Sequence, residues 1–240
     1  MTVLRSALFH LWFVLVSVTM NVGFLPILIM PWQITITLAG VWARLILWGL
    51  RVFAGTRLEI RGQTPKGGVL VASKHFSMWE TIAFLGILYR PVIVMKRTLL
   101  RVPFYGWYAV KQRHIAIDRS AGASALRTMS RAAEQRLSEG RPVVIFPEGT
   151  RRNPGDPPAY KPGVAALYLH LDVPCVPVAH NSGLFWTGFL RRPGTIVLEY
   201  LEPIPPGLSR RDFMTILEQR IETATARLIA EGRRELAARS

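Results

Sequence analysis

Between Ser6 and Ala43 the chain carries no Asp, Glu, Lys or Arg. That run, about 38 residues, is long enough for two near-spanning helices, since one crossing takes about 20 residues. Pro26 and Pro31 divide it, because a proline inside a helix removes a hydrogen bond and clashes with the preceding turn. The pattern predicts one helix near Arg5 to Leu25 and a second near Trp32 to Phe53, together an N-terminal helical hairpin. Two other readings compete with a membrane hairpin. A cleaved signal peptide has an apolar core of only about 7–15 residues. A buried helix pair of a soluble domain would leave a long uncharged stretch to cover in a small chain.

Beyond the hairpin, strand and helix patterns alternate. Short apolar or alternating runs predict strands at Thr56–Arg61, Val69–Ala72, Pro91–Met95, Arg113–Ile117, Val143–Phe146, Cys175–Ala179 and Thr195–Leu201. Helices are expected at Ser77–Tyr89, Leu99–Val110, Gly122–Ser138 and Gly163–Leu171. A last one opens at Ser209, where Asp212 three residues on gives a capping signature. About seven strands alternating with helices imply an α/β domain with a mostly parallel or mixed sheet. The expected organisation is a membrane-associated hairpin over residues 1–54 and a catalytic domain over residues 55–240.

Charge sharpens the membrane reading. The net charge is +15, and no acidic residue occurs before Glu59. Only Glu59 and Glu80 precede Asp118. Such a basic half suits nucleic acid or anionic lipid headgroups; the adjoining apolar run selects lipid, and no nucleic-acid partner is expected. Arg5 lies at one end of the hairpin, and Arg44, Arg51 and Arg57 at the other. Basic ends stay on the cytoplasmic side, so both ends face the same way. The uncharged tip fits a hairpin entering one leaflet as well as one crossing both. Trp12, Trp32, Trp42 and Trp48 suit either an interface or a core. The single cysteine, Cys175, excludes an internal disulfide and a multi-cysteine metal site.

Ligands on open α/β sheets bind beyond the carboxyl ends of the strands. Four polar residues fall there: His75, Lys96, Arg119 and Arg151. Arginine offers a planar fork of donors suited to phosphate. Lys96 has a competing reading as part of a solvated basic face with Arg97 and Arg101. Arg151 competes as a surface residue paired with Glu148. Glu80 lies five residues after His75, on a different face of one continuous helix. The two can meet only if His75 sits in the turn before that helix. Ser77-x-x-Glu80 is also a capping box, so Glu80 is read either as a cap or as the group that orients His75. No G-x-S-x-G motif is present, Asn181-Ser182-Gly183 lacks the nucleophile-elbow pattern, and no His/Asp cluster has metal-ligand spacing. His10, His114, His170 and His180 are read as structural or interfacial.

These residues also carry a family resemblance. His75-Phe76-Ser77-Met78-Trp79-Glu80 resembles the H-x4-D motif of the glycerolipid acyltransferases, with Glu in place of Asp. Phe146, Pro147, Glu148, Gly149, Thr150 and Arg151 match their F-P-E-G-T-R motif. Ile115-Ala116-Ile117-Asp118-Arg119 is similar to the intermediate block that ends in Arg. Val173-Pro174-Cys175-Val176-Pro177-Val178 is similar to the last block. The four blocks, in order, resemble those of the 1-acyl-sn-glycerol-3-phosphate acyltransferases. The resemblance implies a membrane enzyme of phospholipid biosynthesis, working at the cytoplasmic face, at the inner membrane if the source is Gram-negative. It would transfer an acyl chain from acyl-CoA or acyl carrier protein to lysophosphatidic acid, giving phosphatidic acid without a cofactor. Another lysolipid acceptor, or a membrane protein that binds anionic lipid without turnover, are the alternatives. In the implied mechanism His75 is the base and Glu80 holds its tautomer. Arg151, with Arg119 and Lys96, would bind phosphate. Glu148 would hold the motif loop, and backbone N–H groups near His75 would be candidate oxyanion donors.

Overall fold

The apolar N-terminal run forms two helices, α1 (Thr2–Gly23) and α2 (Trp32–Gly49), in a computed structural model describing residues 1–118 and 122–239. The prolines act as expected. Pro26 sits in the first turn of a 3-10 segment, Leu25–Ile29, and Pro31 caps α2. The helices run antiparallel, as the falling register of two indole hydrogen bonds requires. Trp12 donates to the Leu45 carbonyl at 3.0 Å, and Trp42 donates to Ser17 Oγ at 3.1 Å. A Cβ at Gly49 would run into the Trp12 ring, so only glycine admits that indole. Trp12 and Trp42 thus tie the hairpin together, while Trp48 is half-exposed.

A π-helical segment, Leu50–Ala54, leads into the sheet. The strands are β1 (Thr56–Arg61), β2 (Leu70–Ser73), β3 (Val92–Lys96), β4 (Ile115–Ile117), β5 (Val143–Ile145) and β6 (Cys175–His180). A two-stranded ribbon, β7 (Trp186–Thr187) and β8 (Leu190–Arg191), precedes β9 (Gly194–Tyr200). The main sheet has seven strands in the order β1-β9-β6-β2-β5-β3-β4. Strands β6, β2, β5, β3 and β4 are parallel; β9 runs antiparallel to β6 and parallel to β1. The sheet is therefore mixed, and all five parallel strands from β6 to the edge strand β4 end on one side. The ribbon and a one-turn helix, α7 (Ser182–Phe185), have no periodic signal in the sequence, being too short to carry one.

The remaining helices are α3 (Trp79–Ile87), α4 (Tyr105–Lys111), α5 (Gly122–Ser138), α6 (Gly163–Leu171) and α8 (Arg210–Ala237). Two predicted elements differ. The helix expected from Leu99 to Val110 is broken into a 3-10 turn, Arg97–Arg101, and α4. Pro103 lies between them; it lacks an N–H, and Val102 before it is extended, as a residue preceding proline prefers. The strand expected from Arg113 starts at Ile115, because Arg113 has φ 60° and turns the chain.

Alternation along the strands sends side chains to two faces. Leu70, Ala72, Val143 and Ile145 join a core with Met129, Leu167, Tyr168, Phe213 and Leu217 from α5, α6 and α8. Val71, Val144, Val176 and Ile196 join the opposite core with Trp79, Ile82 and Phe84 of α3. Phe9, Ala43, Ile46 and Leu50 belong to that same cluster. The hairpin thus shares with α3 the cover on one face of the sheet. Its outer surface stays apolar and uncovered: Leu8, Leu11, Leu15 and Val18 of α1 are exposed. Both helices are long and apolar enough to cross a membrane by length and composition.

Candidate active site

His75 lies in the turn between β2 and α3, so the helical-wheel conflict with Glu80 disappears. The helix begins only at Trp79, whose N–H donates to Ser77 Oγ at 3.0 Å. Glu80 is 0 % exposed. Its Oε1 accepts from His75 Nδ1, from the Phe76 N–H and from the Ser77 N–H, each at 2.7 Å. Its Oε2 accepts from Ser77 Oγ at 2.9 Å and from Ser182 Oγ at 3.2 Å. The capping and orienting readings of Glu80 are therefore one arrangement: the carboxylate closes the turn that carries His75 and binds the imidazole as well. The same bonds bear on the oxyanion. The Phe76 and Ser77 N–H groups, the nearest candidates for that task, are both committed to Glu80.

Burial pushes the Glu80 carboxyl up, but the hydrogen bonds from His75 and from the Ser77 N–H outweigh it and hold it at about 2. An ionised carboxylate only accepts hydrogen bonds, so the proton of neutral His75 sits on Nδ1. The Nε2 lone pair is then the free end of the ring. The imidazole stacks on Phe146, with centroids 4.1 Å apart and planes 19° from parallel. Phe146 opens the F-P-E-G-T-R loop, so the motif contributes a platform for His75 as well as a cation.

The loop is tied to the His75 turn in several places. The Arg152 N–H donates to the His75 carbonyl at 2.9 Å. Gly149 has φ 67°, and its N–H returns to the Phe146 carbonyl at 2.9 Å, making the tight turn of the motif. The Lys161 N–H holds the Pro147 carbonyl at 2.8 Å. Lys74 is only 2 % exposed, and its ammonium donates to Glu148 Oε1 and to Glu222 Oε1, both at 2.9 Å. Glu222, on α8, also accepts from the Tyr160 hydroxyl at 2.9 Å. Burial raises the pKa of Glu148, and the hydrogen bond from Lys74 opposes that rise. Glu148 thus ties the loop to Lys74, the residue before His75. Lys74, Ser182 and Glu222 were not apparent in the sequence. Lys74 stands next to His75, but nothing in its surroundings marks it as buried. Ser182 and Glu222 lie more than a hundred residues from their partners.

His180 is wholly buried behind the site, and its Nε2 donates to the Lys74 carbonyl at 2.8 Å. Burial lowers its pKa and keeps it neutral, which fits the structural role expected of it. Arg151 is exposed, and among the described residues it has no hydrogen bond or ion pair. The expected competitor, a pair with Glu148, is not formed; Lys74 occupies that carboxylate. The charge of Arg151 acts on the Tyr105 hydroxyl, opposing the rise that burial causes there. Lys96 is exposed at the end of β3, next to β5 in the sheet. Arg119 lies outside the described residues. An apolar cavity of about 120 Å³ starts beside the site at Thr81 and Tyr105. Its lining also includes Leu85, Ile93 and Ala109, and the polar residues Asn21, Thr35, Gln112 and His114.

Comparison with known proteins agrees with this arrangement. The acyltransferase family profile matches residues 57–181, just over half of the chain. A 1-acyl-sn-glycerol-3-phosphate acyltransferase of Pseudomonas aeruginosa is 41% identical over 160 residues, covering 65% of this chain and 62% of its own length. The enzyme of that name from Limnanthes alba is 31% identical over 195 residues, covering 76% of this chain and 67% of its own. The matched region thus spans about two thirds of these curated relatives. The crystal structure of the 1-acyl-sn-glycerophosphate (LPA) acyltransferase PlsC from Thermotoga maritima superposes with a TM-score of 0.77. It is 19% identical, with 95% of this chain and 98% of that one covered; the fold is shared. Motifs, profile and relatives converge: the chain belongs to the 1-acyl-sn-glycerol-3-phosphate acyltransferase family of glycerolipid acyltransferases.

Proposed function

We propose that the protein transfers an acyl chain from a thioester, acyl-CoA or acyl carrier protein, to the free hydroxyl of lysophosphatidic acid, yielding phosphatidic acid and free thiol. One observation carries this reading. A histidine with a free Nε2, oriented by a buried carboxylate, is tied by backbone and stacking to a loop that presents an unpaired arginine. His75 Nε2 takes the proton of the glycerol hydroxyl as its oxygen attacks the thioester carbonyl. Glu80, ionised beside it, stabilises the imidazolium that forms. The C–S bond then breaks, and the proton passes from His75 to the leaving thiolate. Arg151 holds the acceptor phosphate with two parallel N–H donors, and Lys96 and Arg119 add positive charge. The cavity beside Thr81 suits the methylenes of an acyl chain, because its walls are apolar.

The exposed apolar stripe of α1 supports a location at a membrane. The helix is fastened to the catalytic domain at both ends: Ser6 Oγ accepts from the Arg191 N–H at 2.9 Å, and the Asn21 carbonyl accepts from the Tyr108 hydroxyl at 3.0 Å. With one flank packed on the sheet, only the other meets lipid. The hairpin enters from one side, at the cytoplasmic face, with both basic ends there. The test is a labelled thioester offered with a panel of lysolipids in detergent micelles. Labelled phosphatidic acid should be the main product. Preferential labelling of an acceptor without a phosphomonoester would reject the assignment of lysophosphatidic acid.

A further inference from the structure

We infer that the segment from Lys96 to Arg113 is a second membrane-inserting element, which seats the mouth of the apolar cavity among anionic lipid headgroups. The inference rests on the membrane reading of the hairpin but on different residues. Helix α4 has two unlike faces. Tyr105, Tyr108 and Ala109 line the cavity. Trp107 and Val110, three residues apart on the other side, are 52% and 60% exposed. Val102 and Leu99 in the preceding turn extend that exposed apolar surface. A soluble surface seldom presents a tryptophan and three aliphatic side chains from so short a segment.

The occupant follows from charge and continuity. Lys96, Arg97, Arg101 and Lys111 flank the apolar residues, Arg113 being paired with Glu139 at 3.2 Å, and no acidic residue occurs in the sequence between Glu80 and Asp118. Cations around a projecting apolar cluster suit an anionic bilayer, where aromatic and aliphatic groups enter and the cations stay with the headgroups. The segment is also joined to the hairpin: the Tyr108 hydroxyl bonds the Asn21 carbonyl near the end of α1. That bond, made from the cavity face of α4, fixes the segment beside the C-terminal end of α1. Helix α4 then stands as a one-helix wall between the cavity and lipid. Arg151, whose charge reaches Tyr105, lies where a lipid phosphate would be.

The test uses the full chain in vesicles of three parts phosphatidylcholine to one part phosphatidylglycerol. Cys175 is wholly buried, so a Val110→Cys variant is labelled at one site with a polarity-sensitive fluorophore. A Glu134→Cys variant, on the exposed face of α5, serves as the reference. The label at position 110 should shift to the blue, escape aqueous iodide and be quenched by lipids brominated high on their chains. The label at 134 should remain open to iodide. In a second arm, Trp107→Glu should lower the rate on vesicle-borne lysophosphatidic acid about tenfold, the usual worth of one large buried apolar side chain. The rate on a short-chain, water-soluble acceptor should not change. Equal iodide access at 110 and 134 would overturn the inference, and so would an unchanged vesicle rate in Trp107→Glu. Shielding that appears only when an acidic acyl carrier protein is added would also overturn it, since the surface would then dock protein. The depth measurement does not depend on which lysolipid is acylated, so it stands or falls apart from the proposed reaction.

Discussion

The roles of single residues turn on Glu80, which serves backbone and imidazole with the same oxygen, Oε1. Glu80→Gln retains an acceptor for the turn but loses the charge that stabilises an imidazolium. It should fold and lose most turnover, while Glu80→Asp, with a shorter reach, keeps a substantial part. Full activity of the Gln variant would reduce Glu80 to a cap. Its low pKa adds a linkage. The folded value, about 2, lies below the ordinary value of 4.5. The unfolded chain therefore binds more protons between those limits. Stability from Glu80 is present above pH 4.5 and is lost as pH falls toward 2, by on the order of 3 kcal/mol at most. Denaturant titrations of wild type and Glu80→Gln should differ less at pH 3 than at pH 7. Arg151→Lys keeps charge without the planar fork. It should raise KM for the phosphorylated acceptor and leave KM for the thioester nearly unchanged; the reverse pattern would move Arg151 to the donor side.

At the scale of elements, Lys74 couples β2, the motif loop and α8 through two carboxylates. Lys74→Met leaves Glu148 buried with only Arg152, 3.9 Å away, as a cationic neighbour, at a cost of about 3 kcal/mol. Adding Glu148→Gln should recover much of that loss. A double-mutant cycle followed by thermal melting measures the coupling, and strictly additive costs would mean that the pair does not hold the loop. This network also marks where sequence legibility ends. His75, Glu80 and the F-P-E-G-T-R loop were readable because their motifs are local and sit at predicted strand ends. The pairing of Lys74 with Glu222 was not, because it depends on where α8 returns across the sheet. The break at Pro103 had a visible cause, yet the apolar spacing around it read as one helix. The seven strands of the sheet were legible from apolar runs, and their order was not, since order is a tertiary property.

On the scale of the whole molecule, the hairpin is part of the core and presents an apolar outer stripe that fits a membrane anchor. Phe9, Ala43, Ile46 and Leu50 pack against the sheet, so removing residues through Phe53 would strip one face of the core. Attachment is better tested on the outer stripe. Leu8→Glu, Leu11→Glu and Leu15→Glu each remove an exposed apolar group worth about 2 kcal/mol in lipid. The triple variant should keep its fold by circular dichroism yet wash off anionic vesicles in high salt, where the +15 charge is screened. Wild type should stay bound. Equal retention of both proteins would leave the stripe with no part in anchoring.

The account as a whole rests on direct transfer from thioester to acceptor hydroxyl, with His75 as base. The most direct measurement incubates the protein with labelled acyl thioester, first alone and then with lysophosphatidic acid, using wild type and His75→Ala. Wild type should carry no covalent label and release little thiol until acceptor is added, then form labelled phosphatidic acid. His75→Ala, folded as judged by its melting curve, should lose at least 100-fold in turnover, within the usual range for a general base. A stable acyl-protein in the absence of acceptor, or a folded His75→Ala variant with more than a tenth of wild-type turnover, would contradict it.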